Sequence, residues 1–438
     1  MNTVLFDLLV AFVFLAMISI LVAAHEYGHY LFARLFKMGV EEFAIGMGKK
    51  LKIWRRTETA IPIPSSYVHD PNARSAGLTF EGGSISKTSS RVVDTPQGRQ
   101  LIEPTEFTVR MLPIGGFVRI KGMVPEEDGS EVRIPGGFYS KPPWQRLIVL
   151  FGGPLFSVLA GLVILTVVYS TFGEDVPDKR PILGQVHASE NGVDLPAHKA
   201  GLQEGDVVTS VNGEPIKTFY DLVKRVNASP NIALKVGYLR DGKHLTTTLT
   251  PELGLSAVLN PDLEVVDSKV QGRIGVNPDS LHIVLSVPAA IIAAVDKPIK
   301  AVEGLIDIAR KPSKFKDEAG SAVTMVAVTA EATHEGVGKI IEWMGLLSIM
   351  VGIFNLLPFP PLDGGQMLMA FAELLRGGRR LSIRVQNVVV NAGALAVLTL
   401  FAAALVFDVQ RLADRSSPAP SKHSQQNRAK ADGHSGDK

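Results

Sequence analysis

The chain has 438 residues, with 45 Lys and Arg against 43 Asp and Glu, 46% hydrophobic residues and no Cys. A net charge of +2 provides no large basic surface, so nucleic acid is not expected as a partner. The absence of Cys excludes disulfide scaffolds, thiolate zinc sites, iron–sulfur clusters and Cys nucleophiles. The mean hydropathy of +0.20 indicates that apolar residues are concentrated in membrane spans.

Four stretches are apolar enough to cross a bilayer, which takes roughly 20 helical residues. They lie within residues 1–36, 146–173, 340–366 and 385–407. Buried helices of a soluble protein are the alternative, but four such runs in one chain rarely arise otherwise. The first run lacks the basic start and small-residue cleavage site of a signal peptide, so we expect it to be retained. The pattern predicts a four-span α-helical protein embedded in a lipid bilayer.

Basic residues are concentrated in two of the segments between these spans. The segment 37–145 and the short loop before residue 385 are rich in Lys and Arg, whereas the second span is followed by three acids before any base. By the positive-inside rule, these two basic loops are cytoplasmic. Residues 174–338 and both termini are then expected outside the cytoplasm.

Residues 181–253 are predicted to form a small α+β domain. Short β-like runs alternate with turn signals such as Asn212-Gly213, and a helix is predicted over 218–227. The segment 200–213, AGLQEGDVVTSVNG, resembles the signature of bacterial protease-type PDZ domains. PDZ domains bind an extended peptide as an added strand beside a helix. The resemblance implies a peptide groove at Ile182, Leu183 and Gly184, and an inert spacer or a size filter without a peptide ligand is the alternative.

The rest of the outer segment, 254–338, is predicted to be a linker that carries one amphipathic helix within 281–310. Its apolar side chains recur at helical spacing; they are Ile291, Ile292, Val295, Ile299, Val302 and Ile306. This face is expected to pack on a neighbouring domain, with the membrane surface as the alternative.

In the first basic loop, 37–145, two runs are predicted to be extended. They span 43–53 and 107–120, and glycines mark bent places within them. The stretch 57–106 between them is rich in Ser, Gly and Pro and has little periodicity, so it is interpreted as an insertion of unassigned role. The polar tail 416–438 is predicted to be disordered.

The sequence His25-Glu26-Tyr27-Gly28-His29 stands at the inner end of the first span. Positions i and i+4 share one face of a helix, so the two imidazoles are able to bind one metal ion. Glu26 is near enough to act as a general base on a metal-bound water. Satisfied polar core residues are the alternative, but His and Glu inside a membrane are costly unless they serve a site.

A catalytic zinc ion needs a third protein ligand and an open position. Without Cys, that ligand must be His, Asp or Glu. Asp363 is the only acid between Glu342 and Glu373, and it lies at the same cytoplasmic end as His29. An Asp before Gly-Gly alone indicates a helix-end turn, whereas an HExxH motif at matching depth favours a ligand. The sequence therefore predicts one catalytic Zn²⁺ held by His25, His29 and Asp363.

HEYGH on the first span, the PDZ-like segment and the motif NLLPFPPLDGG at 355–365 together resemble the site-2 protease family of intramembrane zinc metalloproteases. The bacterial RseP-type group, which regulates sigma-factor proteolysis, is the most similar group. The resemblance implies that Glu26 is the catalytic glutamate and that Asn355 helps to hold the substrate or the oxyanion. The segment 111–119 is similar to the membrane-associated β-hairpin motif of this family. Because a substrate helix must unwind to be cut, we expect it to be held as an added strand on a platform that includes Gly46, Ile114, Gly115, Gly116 and Phe117.

The resemblance further implies the substrate and the location. The expected substrate is a single-span membrane protein of the anti-sigma-factor type, cut in regulated intramembrane proteolysis. The enzyme is expected in the inner (plasma) membrane of a bacterium, with the active site near the cytoplasmic side and the PDZ domain outside. The sequence shows one PDZ signature where this group often has two. A membrane metal transporter and a non-catalytic PDZ scaffold are the alternative functions.

Overall fold

A computed structural model describes residues 3–62, 91–96, 98–123, 134–190, 193–310 and 321–416. The chain divides into two compact units, which are treated separately below. The first contains Met1–Phe172 and Leu285–Asp408, and the second contains Gly173–Val284 and Val409–Lys438.

The first unit begins with α1 (Thr3–Leu35), whose apolar run carries both His residues of the HEYGH motif. Three strands follow, β1 (Val40–Pro62), β2 (Arg91–Thr95) and β3 (Gly98–Ile120), in the sheet order β1-β3-β2. The two halves of β3 lie on either side of the start of β1, because Phe43 is opposite both Phe107 and Val118. The start of β1 is therefore enclosed on both edges.

The stretch 57–106, predicted as an insertion without periodicity, continues the strands at both of its ends. Pro62 pairs with Gln100, and Thr57 with Thr105. Alternate positions are buried here, but most of them carry Thr or Glu: Thr59, Glu103 and Thr105 are at most 6% exposed, with Ile61 as the buried apolar residue. A period of two is hidden from hydropathy when the buried side chains are polar. Residues 63–90 of this prediction lie outside the described residues.

Helix α2 (Pro143–Thr171) starts with Pro at its first position, where the missing N–H costs nothing. It packs against α1 at Gly28 and Gly152. A Cβ on Gly28 would lie 2.0 Å from the Gly152 carbonyl oxygen, so the two backbones are in direct contact. Small residues permit this approach between membrane helices.

The second unit is mostly β-structure around one helix. Its elements are β4 (Glu174–Pro177), β5 (Leu183–Val186), β6 (Ser189–Glu190), β7 (Val193–Asp194), α3 (Pro196–Lys199), β8 (Val207–Val211), β9 (Glu214–Pro215), α4 (Phe219–Asn227), β10 (Leu234–Arg240), β11 (Lys243–Leu249), β12 (Glu252–Leu259), β13 (Val265–Arg273), β14 (Val276–Pro278) and β15 (Ser280–Ile283). The largest sheet has the order β11-β10-β8-β9. Apolar side chains of α4 pack on its core, and Thr218 caps that helix by accepting from the Asp221 N–H.

The interpretation of 254–338 as a linker with one helix is corrected by four strands, β12–β15. β14 pairs with β5, and β15 pairs with β4, so the end of the unit closes back on its beginning. Such long-range pairing leaves no local sequence signal that distinguishes it from a linker.

The described residues after Val284 form the helices α5 (Val287–Arg310), α6 (Ala322–Glu335), α7 (Val337–Asn355), α8 (Asp363–Leu375) and α9 (Ile383–Ser416). The third predicted span, 340–366, is not one helix, because α7 ends at Asn355 and α8 starts at Asp363. Among the described residues, α1, α2, α7 and α9 are long and apolar enough to cross a membrane. The tail after residue 416, predicted to be disordered, lies outside the described residues.

Helix α5 packs through a different face from the one predicted. Ala290 and Ala294 are at most 1% exposed and belong to the core around α2 and α7. The six larger apolar residues of the predicted face, from Ile291 to Ile306, are between 42% and 73% exposed. The alanines permit closer contact between helices, which explains why the smaller face is the buried one.

Candidate metal centre

Three side chains from distant parts of the chain meet between α1 and α8. The His25 and His29 rings are buried on one face of α1, and their Nε2 atoms are 3.2 Å apart. Asp363, the first residue of α8, places Oδ2 3.0 Å from His25 Nε2 and 3.3 Å from His29 Nε2. The Asp363 side chain is only 13% exposed.

This arrangement fits a tetrahedral metal ion. Zinc bonds of about 2.0–2.2 Å separate tetrahedral ligand atoms by roughly 3.3–3.6 Å, close to the three observed distances. His29 Nδ1 is 2.8 Å from the Val149 carbonyl oxygen, which only accepts, so Nδ1 is the nitrogen that carries the proton. The lone pair of His29 Nε2 therefore points at the Asp363 carboxylate, and a cation placed between them satisfies both.

Gly153 on α2 keeps the space between the two imidazoles open. A Cβ at this position would lie 2.3 Å from His29 Nε2 and 2.6 Å from His25 Nε2. Any other residue would therefore place its side chain among the ligand atoms. Three groups around the ligands were not predicted from the sequence: Gly153, the Val149 carbonyl and the Ser157 hydroxyl that contacts His25. The Gly-Gly-Pro run at 152–154, inside an apolar helix, was a sequence signal for this position.

Glu26 lies beside this cluster and faces the sheet. Its Oε2 accepts a hydrogen bond of 2.9 Å from the backbone N–H of Val118 on β3. Asn355, at the end of α7, donates from Nδ2 to the Val351 carbonyl oxygen at 2.9 Å. The Asn355 amide is thus bound to its own helix, and the structure gives it no contact with the three ligand residues.

The residues of the predicted strand platform are only partly at a free edge. Gly46, with φ +87°, lies against the carbonyl oxygen of Leu112, on the enclosed side of the sheet. Gly116 and Phe117 belong to the last part of β3, opposite Ile45 and Ala44. The outer edge of this part has no strand partner among the described residues, and it carries the Val118 N–H that reaches Glu26. Ile114 and Gly115 precede it within β3, and Ile114 is 50% exposed.

The predicted peptide groove at Ile182, Leu183 and Gly184 is wrong, because both edges of β5 are already hydrogen-bonded within the unit. β14 pairs with one edge, and on the other edge Leu183 exchanges hydrogen bonds with the segment 205–206. Leu183 is fully buried, and a Cβ on Gly184 would meet the Pro278 carbonyl oxygen at 2.5 Å. No room remains there for an added strand.

A cleft of about 620 Å³ lies instead between α4 and β14 in the same unit. Its apolar lining comes from one face of α4, and the β12–β13 hairpin contributes a further wall; the helix residues are Phe219, Leu222, Val223 and Val226. Within the described residues, β14 belongs to a two-stranded sheet with β5, so its second edge has no strand partner.

Comparisons with known proteins place the chain among peptidases. The model of peptidase family M50 matches residues 13–64 and 97–400. Similar curated proteins include the regulator of sigma-W protease RasP of Bacillus subtilis, 28% identical, with 91% of this chain and 98% of that protein covered. The zinc metalloprotease RasP of Bacillus licheniformis is 30% identical, with 94% and 100% covered. The probable protease eep of Enterococcus faecalis is 28% identical, with 91% and 98% covered.

Proposed function

We propose that this chain, which belongs to peptidase family M50, is an intramembrane zinc metalloprotease that hydrolyses a peptide bond of a membrane protein. The observation that carries the proposal is the convergence of His25, His29 and Asp363 with Glu26 beside them. These four side chains are the ligand set and general base that metal-assisted peptide hydrolysis requires.

The roles of the residues follow from their placement. Zinc, when bound, supplies Lewis-acid activation of a water molecule and of the scissile carbonyl. Glu26 accepts the proton of the attacking water and returns it to the leaving amine. Its hydrogen bond from Val118 fixes one carboxylate oxygen, so the other is the oxygen that handles the proton. One amide hydrogen of Asn355 is held by Val351, and the other is assigned to the substrate carbonyl.

The open edge of β3 supports a way to present the substrate. A transmembrane helix hides its carbonyl groups in internal hydrogen bonds, so it must unwind before hydrolysis. An unwound segment is able to pair with the outer edge of the strand at 116–120 as an added strand. Because the Val118 N–H on this edge already contacts Glu26, a peptide bound there lies next to the general base.

The substrate class is inferred from the relatives. One similar protein is named a regulator of sigma-W protease, which supports a single-span anti-sigma-factor substrate and regulated intramembrane proteolysis. These relatives are bacterial proteins, and the basic loops of this chain favour a plasma-membrane location with the active site on the cytoplasmic side.

The test is the substitution Glu26→Gln in the full chain, co-expressed with a single-span anti-sigma factor. The variant is expected to keep its zinc and to lose cleavage of the membrane stub, measured by metal analysis and immunoblot. Glu41→Gln, an exposed position on β1, is the matched control and is expected to cleave normally.

Cleavage by Glu26→Gln at the wild-type rate would overturn the catalytic assignment. A wild-type chain that holds zinc without cleaving would instead favour a metal transporter. Absence of both zinc and cleavage would favour a scaffold.

The cleft between α4 and β14 supports a second binding function in the same protein. Its apolar helix face and unpaired strand edge fit an extended apolar peptide, which is how PDZ domains bind their ligands. Val223→Arg, at a half-buried position of the cleft wall, places a charge there and is expected to abolish peptide binding, measured with a fluorescent apolar C-terminal peptide. Normal binding by this variant would leave size filtering as the role of the unit.

A further inference from the structure

The partners that orient the two imidazoles come from one face of α2. Val149, Gly153 and Ser157 are spaced four residues apart, so they lie in a row along that face. The Val149 carbonyl oxygen binds His29 Nδ1, and Ser157 Oγ lies 2.9 Å from His25 Nδ1. Gly153, between them, leaves the space for the ion. The row thus provides one hydrogen-bond acceptor for each imidazole and leaves space for the metal ion that the imidazoles bind.

The two acceptors differ in how firmly they fix the tautomer. A backbone carbonyl only accepts, so it forces the proton of His29 onto Nδ1. A hydroxyl both donates and accepts, so Ser157 is compatible with either tautomer of His25. When His25 Nε2 is directed at Asp363 and a shared cation, Nδ1 carries the proton and Ser157 Oγ accepts it. Hydrogen bonds of this kind set ring orientation and ligand basicity in metal sites.

Because the hydrogen bond between Ser157 and His25 is buried, its loss would be costly. Ser157 is fully buried, and the His25 ring is enclosed with it. A Ser within a helix often bonds the carbonyl one turn before it, but here its Oγ contacts a ring on another helix. Without the hydroxyl, the His25 Nδ1–H would be left unpaired in a buried position, and an unpaired buried donor is costly.

We propose that Ser157 is a positioning residue for the metal centre, whose hydroxyl holds His25 in the tautomer and orientation that bind zinc. This inference rests on the proposed function only for the identity of the ion, because the hydrogen bond and the ligand geometry stand without it. Ser157 does not touch the substrate or the ion and acts through His25.

The chain offers a closely matched control in Ser348 on α7. Its side chain is also fully buried, and its Oγ donates to the Ser157 backbone carbonyl at 2.7 Å. Ser348→Ala therefore removes the same hydroxyl from the same neighbourhood, but it leaves the contact between Ser157 and His25 intact. A loss of packing would affect both variants, whereas a loss of ligand orientation would affect only Ser157→Ala.

The test measures zinc affinity of the purified full chain in detergent, by competition with a chelator of known affinity. Ser157→Ala is expected to weaken zinc binding by about 10- to 100-fold, the usual effect of removing such a partner. Ser348→Ala is expected to bind as the wild type does. Substitution with Co²⁺ provides a second readout, since its visible absorption bands should shift in Ser157→Ala and stay unchanged in Ser348→Ala.

Thermal unfolding of the zinc-free variants separates folding from binding. If Ser157→Ala fails to fold, Ser157→Thr and Ser157→Val replace it, because they match each other in shape and differ in the hydroxyl. The Val variant is then expected to bind zinc more weakly than the Thr variant by the same factor.

Equal zinc affinities in Ser157→Ala and the wild type, or an equal loss in Ser348→Ala, would overturn the positioning role. Neither result depends on peptide cleavage. A chain that binds zinc in the expected order but cleaves nothing would refute the proposed protease function and leave this inference standing.

Discussion

A single methyl group at Gly153 is expected to close the metal centre. Its Cβ would lie within 2.6 Å of both Nε2 atoms, closer than real contacts permit. We expect Gly153→Ala to lose zinc binding at micromolar concentrations while the helices still form. Metal analysis after purification, together with circular dichroism in detergent, checks this prediction.

The control for this substitution is Gly304→Ala in α5, where an added Cβ meets no atom within 4 Å. Zinc content should be unchanged in this variant. If Gly153→Ala retained zinc, α2 would have shifted to accommodate the added methyl group. The absence of a side chain at position 153 would then not be required for zinc binding.

At the scale of elements, a buried ion pair joins α2 to the helix that carries Asp363. Arg146 Nη2 lies 2.5 Å from Glu373 Oε2, and the two side chains are 4% and 2% exposed. Glu373 also accepts the backbone N–H of Leu381. Asp363 begins α8 and Glu373 lies near its end, so the pair fixes the far end of the helix that supplies a metal ligand.

Removing one partner of this pair leaves the other charge buried and alone. Arg146→Met is expected to lower the free energy of unfolding by about 3–5 kcal/mol. The double variant Arg146→Met, Glu373→Leu should recover much of that loss, because no uncompensated charge remains. Unfolding of all the variants in detergent measures both values, and a double variant no more stable than Arg146→Met would contradict the explanation.

A second link between elements is the cap of α6. Asp408 on α9 accepts hydrogen bonds from the backbone N–H groups and hydroxyls of Ser321 and Thr324, at 2.5 to 3.3 Å. Asp408→Ala is expected to cost about 1–2 kcal/mol and to speed hydrogen exchange in the first turn of α6. Thr399→Ala, at an exposed position on the same α9 helix, is the control and should leave that exchange unchanged.

For the whole molecule, zinc should act as a stabilising ligand. An ion that binds only the folded chain adds about 2.7 kcal/mol when its free concentration is 100 times its dissociation constant. The thermal unfolding midpoint in detergent is therefore expected to rise with added Zn²⁺. His25→Ala should abolish this increase, and an equal increase in that variant would indicate that zinc binds elsewhere.

The sequence was sufficient for the family and for the candidate metal centre. Membership of peptidase family M50 is confirmed, and His25, His29 and Asp363 converge as their motifs predicted. Both results come from local signals, because the helical repeat fixes the two His residues and the LDGG motif marks the third ligand. The catalytic roles of these residues remain predictions.

What the sequence did not predict depends on contacts between distant segments. The groove was placed on β5 because the pairing of β14 with β5 joins residues about ninety positions apart. The exposed face of α5 was taken for its packing face because hydropathy does not distinguish an exposed apolar side chain from a buried one. Ser157 was missed because its partner, His25, lies 132 residues away.

The backbone contact between Gly28 and Gly152 has a consequence for how a substrate gains access. Helices α1 and α2 are in contact at their main chains, and the hydrogen bonds of His25 and His29 join them on either side of that contact. Separating them would break both bonds and remove the partners that orient the His25 and His29 rings. We therefore expect a substrate helix to enter the site by a route other than the contact between α1 and α2. The two His ligands would then keep their orientation while a substrate enters and leaves.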